Sequence, residues 1–190
     1  ILTSLPHRLF AKVLRELKAS PVAPGDLAVG VIFFPQEHKA QARARAIAED
    51  MIRGGGVQLI GWRAVPVDPS VIGEKALETL PSIQHALLSR PAAVPAEEFE
   101  RRLFLIRRRI ERAWERDGLG GYIPSFSSRT IAYKGLLVAP QLATFYRDLS
   151  DPDYTAAIGV FHQRYSTNTF PPWFLAQPFR FLAHNGEINP

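Results

Sequence analysis

Residues 156–190 decide the fold, and they read AAIGVFHQRYSTNTFPPWFLAQPFRFLAHNGEINP. Two apolar runs in this stretch, residues 156–161 and 179–183, have the length and composition of buried strands. The first run ends in a polar cluster that begins at His162, and the second ends in a polar cluster that begins at His184. Two strands that each stop at polar side chains are expected to bring those side chains to a common binding site.

The polar clusters contain residues suited to binding an anion. Arg164 carries a planar guanidinium that matches a carboxylate through two parallel hydrogen bonds. The side chain of Asn185 and the backbone amide of Gly186 can both donate to a developing oxyanion. Two plainer interpretations stay open at this point. Asn-Gly is also a strong signal for a hairpin turn, and Arg164 could be a surface arginine at a strand end.

Composition places the chain in the globular class. The 190 residues include 46% hydrophobic and 22% charged residues, which favours a single domain over 1–190. The chain has no cysteine, so it forms no disulfide, no thiolate zinc site and no thiol nucleophile of its own. No apolar run has the length of a membrane span, and no signal peptide is recognisable, so we expect a cytoplasmic protein without a membrane partner.

Hydrophobic periodicity predicts alternating helices and strands along the rest of the chain. A helix is expected to start at Ser4-Leu5-Pro6, with Ser4 as its cap. The other predicted helices cover residues 35–53, 74–80, 96–116 and 140–146. The predicted strands cover residues 27–34, 57–67, 83–89, 122–128 and 130–133. The first strand–helix–strand unit is not a nucleotide-binding unit, because no Gly-rich motif follows its first strand.

A net charge of +5 comes partly from an arginine-rich helix at residues 101–116. Because glutamates are mixed with these arginines, a solvated helix face is the favoured interpretation. A nucleic-acid surface is the alternative, but the helix lacks the interleaved aromatic residues on which single-stranded bases stack. We therefore expect no nucleic-acid partner.

Longer motifs carry a resemblance to a known family. The segments are HQRYSTNT, AQPFRFLAHNGEIN, SSRTIAYKGLLVAPQLATFYRDLSDPDY and the opening ILTSLP. Together they resemble the N-terminal class II glutamine amidotransferase domain, of the Ntn-hydrolase type, of glutamate synthase large subunits. The resemblance implies an α+β fold, specifically a four-layer αββα sandwich that is incomplete at both ends.

The resemblance also implies an activity, the release of ammonia from L-glutamine for glutamate synthesis from 2-oxoglutarate. Asn185 and Gly186 match the oxyanion hole of the family, Arg164 matches the arginine that binds the substrate carboxylate, and Thr167 matches the threonine near that carboxylate. FMN and an iron–sulfur cluster are implied for the full-length enzyme, with its remaining domains and a smaller subunit as partners.

Two family features are not present in the sequence. The family uses an N-terminal cysteine, which is expected before Ile1, and an aspartate that is expected beyond Pro190. The 190-residue chain is therefore expected to be inactive alone, and a non-catalytic glutamine-binding module is the alternative. His162 and His184 lack partners at metal-ligand spacing, so we expect them to make structural hydrogen bonds and expect no metal site.

Overall fold

A computed structural model describes residues 1–163 and 172–179. The α-helices are α1 (His7–Glu16), α2 (His38–Gly54), α3 (Glu74–Glu78), α4 (Ala96–Arg116) and α5 (Leu142–Phe145). The strands are β1 (Leu2–Ser4), β2 (Leu27–Phe34), β3 (Gln58–Ala64), β4 (Ser82–Ser89), β5 (Tyr122–Ser127), β6 (Thr130–Ala132) and β7 (Gly159–Val160). Short 3₁₀ turns include Arg147–Ser150 and Trp173–Leu175.

The larger sheet has four strands in the order β3-β4-β2-β5, and every pair is antiparallel. Its central strand β2 occupies the range that the apolar run predicted, and all eight of its residues are buried. A strand that is apolar at every position must be covered on both faces, and two different hydrophobic clusters contact the two faces of β2.

The order of the strands explains why the first strand–helix–strand unit is not a Rossmann unit. Strands β2 and β3 are not neighbours, since β4 lies between them and pairs with both. The connection through α2 therefore places β2 and β3 two positions apart in the sheet. Strand β4, which comes later in the chain, lies between them and is antiparallel to both. Sequence periodicity identified the elements, but their order depends on pairing between distant segments.

The smaller sheet has three antiparallel strands in the order β6-β1-β7. Its central strand β1 was not predicted, and the expected helix cap at Ser4 is wrong. Ser4 belongs to this strand, its hydroxyl accepts a hydrogen bond from the amide of Ala157 at 2.8 Å, and α1 begins after Pro6 without a side-chain cap. Three residues are too few for a periodic pattern, so pairing with β6 and β7 decides their conformation.

Two hydrophobic clusters separate three layers. The outer cluster lies between the larger sheet and the helices α2 and α4, and includes Ile52, Phe99, Ile106 and Phe126. The inner cluster lies on the other face of that sheet and includes Val31, Leu87, Ile131, Phe145 and Trp173. Helices and antiparallel sheets stacked in this way confirm the predicted α+β fold of the Ntn type. The described residues supply the helix–sheet–sheet part of the αββα order.

Helix α4 spans the predicted range, residues 96–116, and buries the predicted face. Its Trp114 donates from Nε1 to the carbonyl oxygen of Ala44 in α2 at 2.9 Å, which fixes the two helices against each other. The sequence of the predicted helix 35–53 places Ala42, Ala46, Ile47 and Met51 on its inward face. This prediction is partly wrong, because Ala44, Ala48 and Ile52 are buried and Ala42 is exposed. Alanines occur on several faces of α2, so its sequence does not define one apolar stripe.

Two arginines of α4 form i,i+4 pairs with acidic residues of the same helix. Arg102 contacts Glu98 at 2.9 Å, and Arg107 contacts Glu111 at 3.4 Å. The first pair is half-exposed, as on a solvated helix face with mixed charges, whereas the second is mostly buried. Among the residues that the structure describes, no helix combines the length and the apolar character that crossing a membrane requires.

Candidate functional site

The four residues predicted to bind and activate substrate lie outside the described ranges. They are Arg164, Thr167, Asn185 and Gly186. Their roles therefore stay predictions. The structure does describe the chain up to Gln163, just inside the first polar cluster, and up to Phe179, five positions before the second cluster begins at His184.

These two approaching segments meet at one cavity. The cavity has a volume of about 190 Å³ and is lined by residues from both segments, including His162, Gln163 and Gln177. Strand β7, which is shorter than the predicted strand over 156–161, pairs with β1 and brings the first segment to this place. The described ends of the two segments therefore lie at a common cavity beside the smaller sheet.

The floor of this cavity is the stretch that follows β6. Tyr133, Lys134 and Gly135 line it, and the amide of Tyr133 donates to the carbonyl oxygen of Ile1 at 2.8 Å, which extends the pairing beyond β6. A lysine and a glycine directly after the predicted strand 130–133 predict a turn at Lys134-Gly135. This prediction is wrong, because the chain continues past both residues before it bends at Leu136. Pairing with the start of β1 keeps this stretch extended.

Gly135 allows close packing at the cavity floor. A Cβ atom at this position would lie 2.3 Å from Cζ3 of Trp173, which is shorter than any ordinary contact. The indole of Trp173 is buried and donates from Nε1 to the carbonyl oxygen of Ala76 at 3.0 Å. The absence of a side chain at Gly135 thus lets the segment 172–179 lie directly on the strand end.

A buried network of polar side chains lies beneath Tyr133. Arg63 of β3 donates two hydrogen bonds to Asp148, each at 2.7 Å, and the hydroxyl of Tyr133 donates to the same carboxylate at 2.9 Å. Burial and the Asp148 carboxylate raise the pKa of Tyr133 well above its ordinary value. This arrangement joins the larger sheet, the 3₁₀ turn at residues 147–150 and the end of β6.

His85 of β4 completes the network at its closed end. It is fully buried, and its Nδ1 lies 3.3 Å from Nη1 of Arg63 and accepts from that guanidinium. Within the described residues, Nε2 of His85 has no hydrogen-bond partner. Burial lowers the pKa of His85 to about 3, so the imidazole is neutral at physiological pH.

Lys134 points away from this network. Its Nζ donates to the carbonyl oxygen of Phe174 at 2.8 Å and to the hydroxyl of Tyr122 at 3.2 Å. The side chain is only 2% exposed, and this burial lowers the pKa of Lys134 to about 7. Neither Lys134 nor the Arg63–Asp148 pair was identified from the sequence, since their partners are far away along the chain.

Within residues 1–163 and 172–179, no three His, Asp or Glu side chains come together in a way that could hold a metal ion. His162 lines the 190 Å³ cavity, and His184 lies outside the described ranges. The described part of the site is thus an extended strand end, a buried cation and two converging segments.

Comparison with known proteins agrees with this architecture. Residues 1–190 match the family of class II glutamine amidotransferases. The NADPH glutamate synthase large chain of Azospirillum brasilense is 49% identical over 86% of this chain and 11% of its own length. The ferredoxin-dependent glutamate synthase 2 of a Synechocystis strain is 42% identical over the whole chain and 12% of its own length.

A more distant relative extends the comparison. The NADPH glutamate synthase large chain of Bacillus subtilis is 35% identical over the whole chain and 12% of its own length. The chain thus spans between 11% and 12% of the length of these relatives. The resemblance to glutamate synthases that the motifs indicated is confirmed. The chain belongs to the class II glutamine amidotransferase family.

Proposed function

We propose that this chain is the glutamine-hydrolysing part of a glutamate synthase large subunit, with residues 1–190 forming one domain. The supporting observation is the convergence of the segments before Arg164 and before the cluster at Asn185 on one 190 Å³ cavity. One segment holds the substrate at its carboxylate and the other activates its amide. Both segments must therefore reach the same cavity. The family membership supports L-glutamine as that substrate.

The four site residues have separate roles in this proposal. Arg164 binds the α-carboxylate of glutamine in a two-pronged way, with Thr167 beside it. A cysteine thiolate attacks the side-chain carboxamide carbon, and Asn185 and Gly186 donate to the oxyanion that forms. Ammonia leaves as the thioester forms, and water then releases glutamate.

The thiol must come from a residue outside this sequence, because the 190 residues contain no cysteine. The 190-residue chain should therefore bind glutamine without hydrolysing it. A longer form of the protein that carries a cysteine ahead of Ile1 supplies both the nucleophile and, through its free α-amine, the base.

The redox cofactors of the proposed enzyme do not fit this chain. A chain without cysteine provides no thiolate ligands for an iron–sulfur cluster. Its run of three glycines, residues 54–56, ends α2 instead of starting a helix that could bind the phosphate of FMN. FMN and the cluster, the other domains and a smaller subunit are therefore assigned to the rest of the enzyme. Its location in the cytoplasm stays a prediction.

Glutamate release tests the proposal. The cysteine-bearing longer protein should release glutamate from glutamine, and a thiol-reactive glutamine analogue should label its N-terminal cysteine. Arg164→Ala in the same protein should raise KM for glutamine by about 100-fold, because a bidentate charged contact is lost. Hydrolysis by the 190-residue chain itself would contradict the mechanism.

The second candidate is a glutamine-binding module without activity, which the lack of a cysteine favours. It predicts binding of glutamine that requires Arg164 in both forms of the protein, no labelling by the analogue and no glutamate release. The labelling experiment therefore separates the two functions.

A further inference from the structure

The strongest unexplained feature is the environment of Lys134. Its ammonium group is sealed from solvent, with the ring of Tyr122 centred 4.6 Å from Nζ and the ring of Phe179 centred 4.7 Å away. Within the described residues, no carboxylate forms an ion pair with it, and burial is the cause that lowers its pKa. Two aromatic faces and two oxygen acceptors take the place of a counterion.

A cation in such a place is costly for folding. Removing an ammonium from water without a carboxylate partner is unfavourable, and an apolar side chain of the same length would fill the space. Lysines are rarely buried to this degree unless their charge has a specific partner. The contacts of the charge should therefore show what the lysine does.

Those contacts are divided between Tyr122 and the segment 172–179. The amino group meets the carbonyl oxygen of Phe174 near the start of this segment and the ring of Phe179 at its end. Trp173 holds the start of the segment independently, through its hydrogen bond to Ala76 and its contact with Phe145. The contacts of Lys134 thus reach from near the start of the segment to its end.

Open space borders the segment at two places. A cavity of about 630 Å³ borders Trp173 and Phe174, and the 190 Å³ cavity borders Gln177. Ala176 and Pro178 are buried, so the contacts of Lys134 with Phe174 and Phe179 add to this packing. In the sequence, Asn185 and Gly186 follow Phe179 by six and seven positions.

We propose that Lys134 is a positioning residue, whose terminal amino group holds the segment 172–179 against the strand end and so sets where the chain enters the oxyanion-donating corner. This inference rests on the proposed function. Lys134 does not touch the reacting atoms. It acts through the polypeptide that leads to Asn185 and Gly186.

This role predicts a particular kinetic signature. An oxyanion is present in the transition state and absent from bound glutamine, so displaced donors lower kcat and leave KM nearly unchanged. Lys134→Met keeps the length of the side chain and removes the charge and its donors. In the cysteine-bearing longer protein, we expect this variant to lower kcat for glutamine hydrolysis about 10- to 100-fold, with KM within about twofold of the original.

The matched control is Lys39→Met, since Lys39 is an exposed lysine of α2 that lines neither cavity. It should leave both constants unchanged. A rise in KM for Lys134→Met with unchanged kcat would overturn the proposal, because it would assign Lys134 to binding of the substrate itself. Unchanged constants would overturn it as well.

A second measurement does not depend on activity. The amide of Leu175 donates to the carbonyl oxygen of Pro172 at 3.1 Å, and it reports opening of the segment. Hydrogen exchange at this amide should be about tenfold faster in Lys134→Met than in the original protein, as expected for the loss of one hydrogen bond to a charged group. Unchanged exchange would overturn the proposal.

The two measurements separate the possible failures. Absence of glutamate release by the original longer protein would contradict the proposed function. In that case the exchange rate at Leu175 still decides whether Lys134 positions the segment.

Discussion

Two buried cations lie on either side of the stretch that follows β6, and they are satisfied in different ways. Arg63 has a full carboxylate partner in Asp148, with two hydrogen bonds of 2.7 Å. Lys134 has a carbonyl oxygen, a hydroxyl and two aromatic rings. Tyr133 and Lys134 are adjacent in the chain. The side chain of Tyr133 contacts the Arg63–Asp148 pair, and the side chain of Lys134 has the second environment.

The two environments point to different roles, stability for the paired charge and function for the charge without a carboxylate. A paired and fully hydrogen-bonded charge connects distant parts of the fold and is costly to disrupt. A buried charge without a carboxylate lowers stability, and such groups are found where a protein positions substrates or catalytic groups. The Arg63–Asp148 pair lies between the two sheets, whereas Lys134 contacts the segment that enters the predicted site.

The largest expected effect comes from removing the carboxylate partner of Arg63, so that its charge, like that of Lys134, has no ion pair. Asp148→Ala removes the carboxylate and leaves a guanidinium that is mostly buried, with its side chain 16% exposed. We expect a loss of about 3–5 kcal/mol in the free energy of unfolding, measured by denaturant titration of the chain.

Two further variants test the cause of that loss. Asp153→Ala breaks an exposed pair with Arg8 and should change the free energy of unfolding by less than about 0.5 kcal/mol. The double variant Arg63→Met with Asp148→Leu should recover most of the loss, since no unpaired charge remains. A loss for Asp148→Ala as small as that for Asp153→Ala would show that the buried pair is unimportant.

A smaller effect of opposite sign is expected from removing the charge of Lys134. Its pKa is lowered from 10.5 to about 7 in the folded chain, so between these pH values the unfolded chain binds more protons. The free energy of unfolding of the original chain therefore rises as pH increases through this window. Lys134→Met should be more stable by about 1–2 kcal/mol near pH 6, and this advantage should shrink towards pH 10.

Denaturant titrations near pH 6, 8 and 10 measure this difference, with Lys39→Met as the control. A difference that stays constant with pH would mean that Lys134 is charged to the same extent in the folded and unfolded chain. The cost of its burial would then have another origin.

The sequence predicted those parts of the fold that repeat a pattern over many residues. Strand β2 and helix α4 were predicted over their observed ranges, because eight apolar residues in a row and a regular three- and four-residue spacing have few other interpretations. Strand β1 was missed, because its conformation depends on two partners that lie more than a hundred residues away.

The described part of the site was harder to predict for a similar reason. Asp148 is separated from Arg63 by 85 positions, and Phe174 is separated from Lys134 by 40. A lysine followed by glycine after a strand looks like a turn when these distant partners are unknown. The motifs around Arg164 and Asn185 indicated the family correctly, and the geometry of those residues stays a prediction.

The smallest expected effect comes from the hydrogen bond that the neutral hydroxyl of Tyr133 donates to the carboxylate of Asp148. Tyr133→Phe removes one hydrogen bond of 2.9 Å to Asp148 and keeps the aromatic packing. Because Arg63 still donates twice to the carboxylate, we expect a loss of about 1 kcal/mol in the free energy of unfolding. Tyr154→Phe, which removes a bond between two neutral hydroxyls, Tyr154 and Thr3, should cost less.

In the Asp148→Ala background the Tyr133→Phe change should become nearly neutral, since the acceptor is gone, and a double-mutant cycle measures this coupling. Equal losses in both backgrounds would mean that the hydroxyl of Tyr133 acts independently of the ion pair, and that the network beneath the cavity is a set of separate contacts.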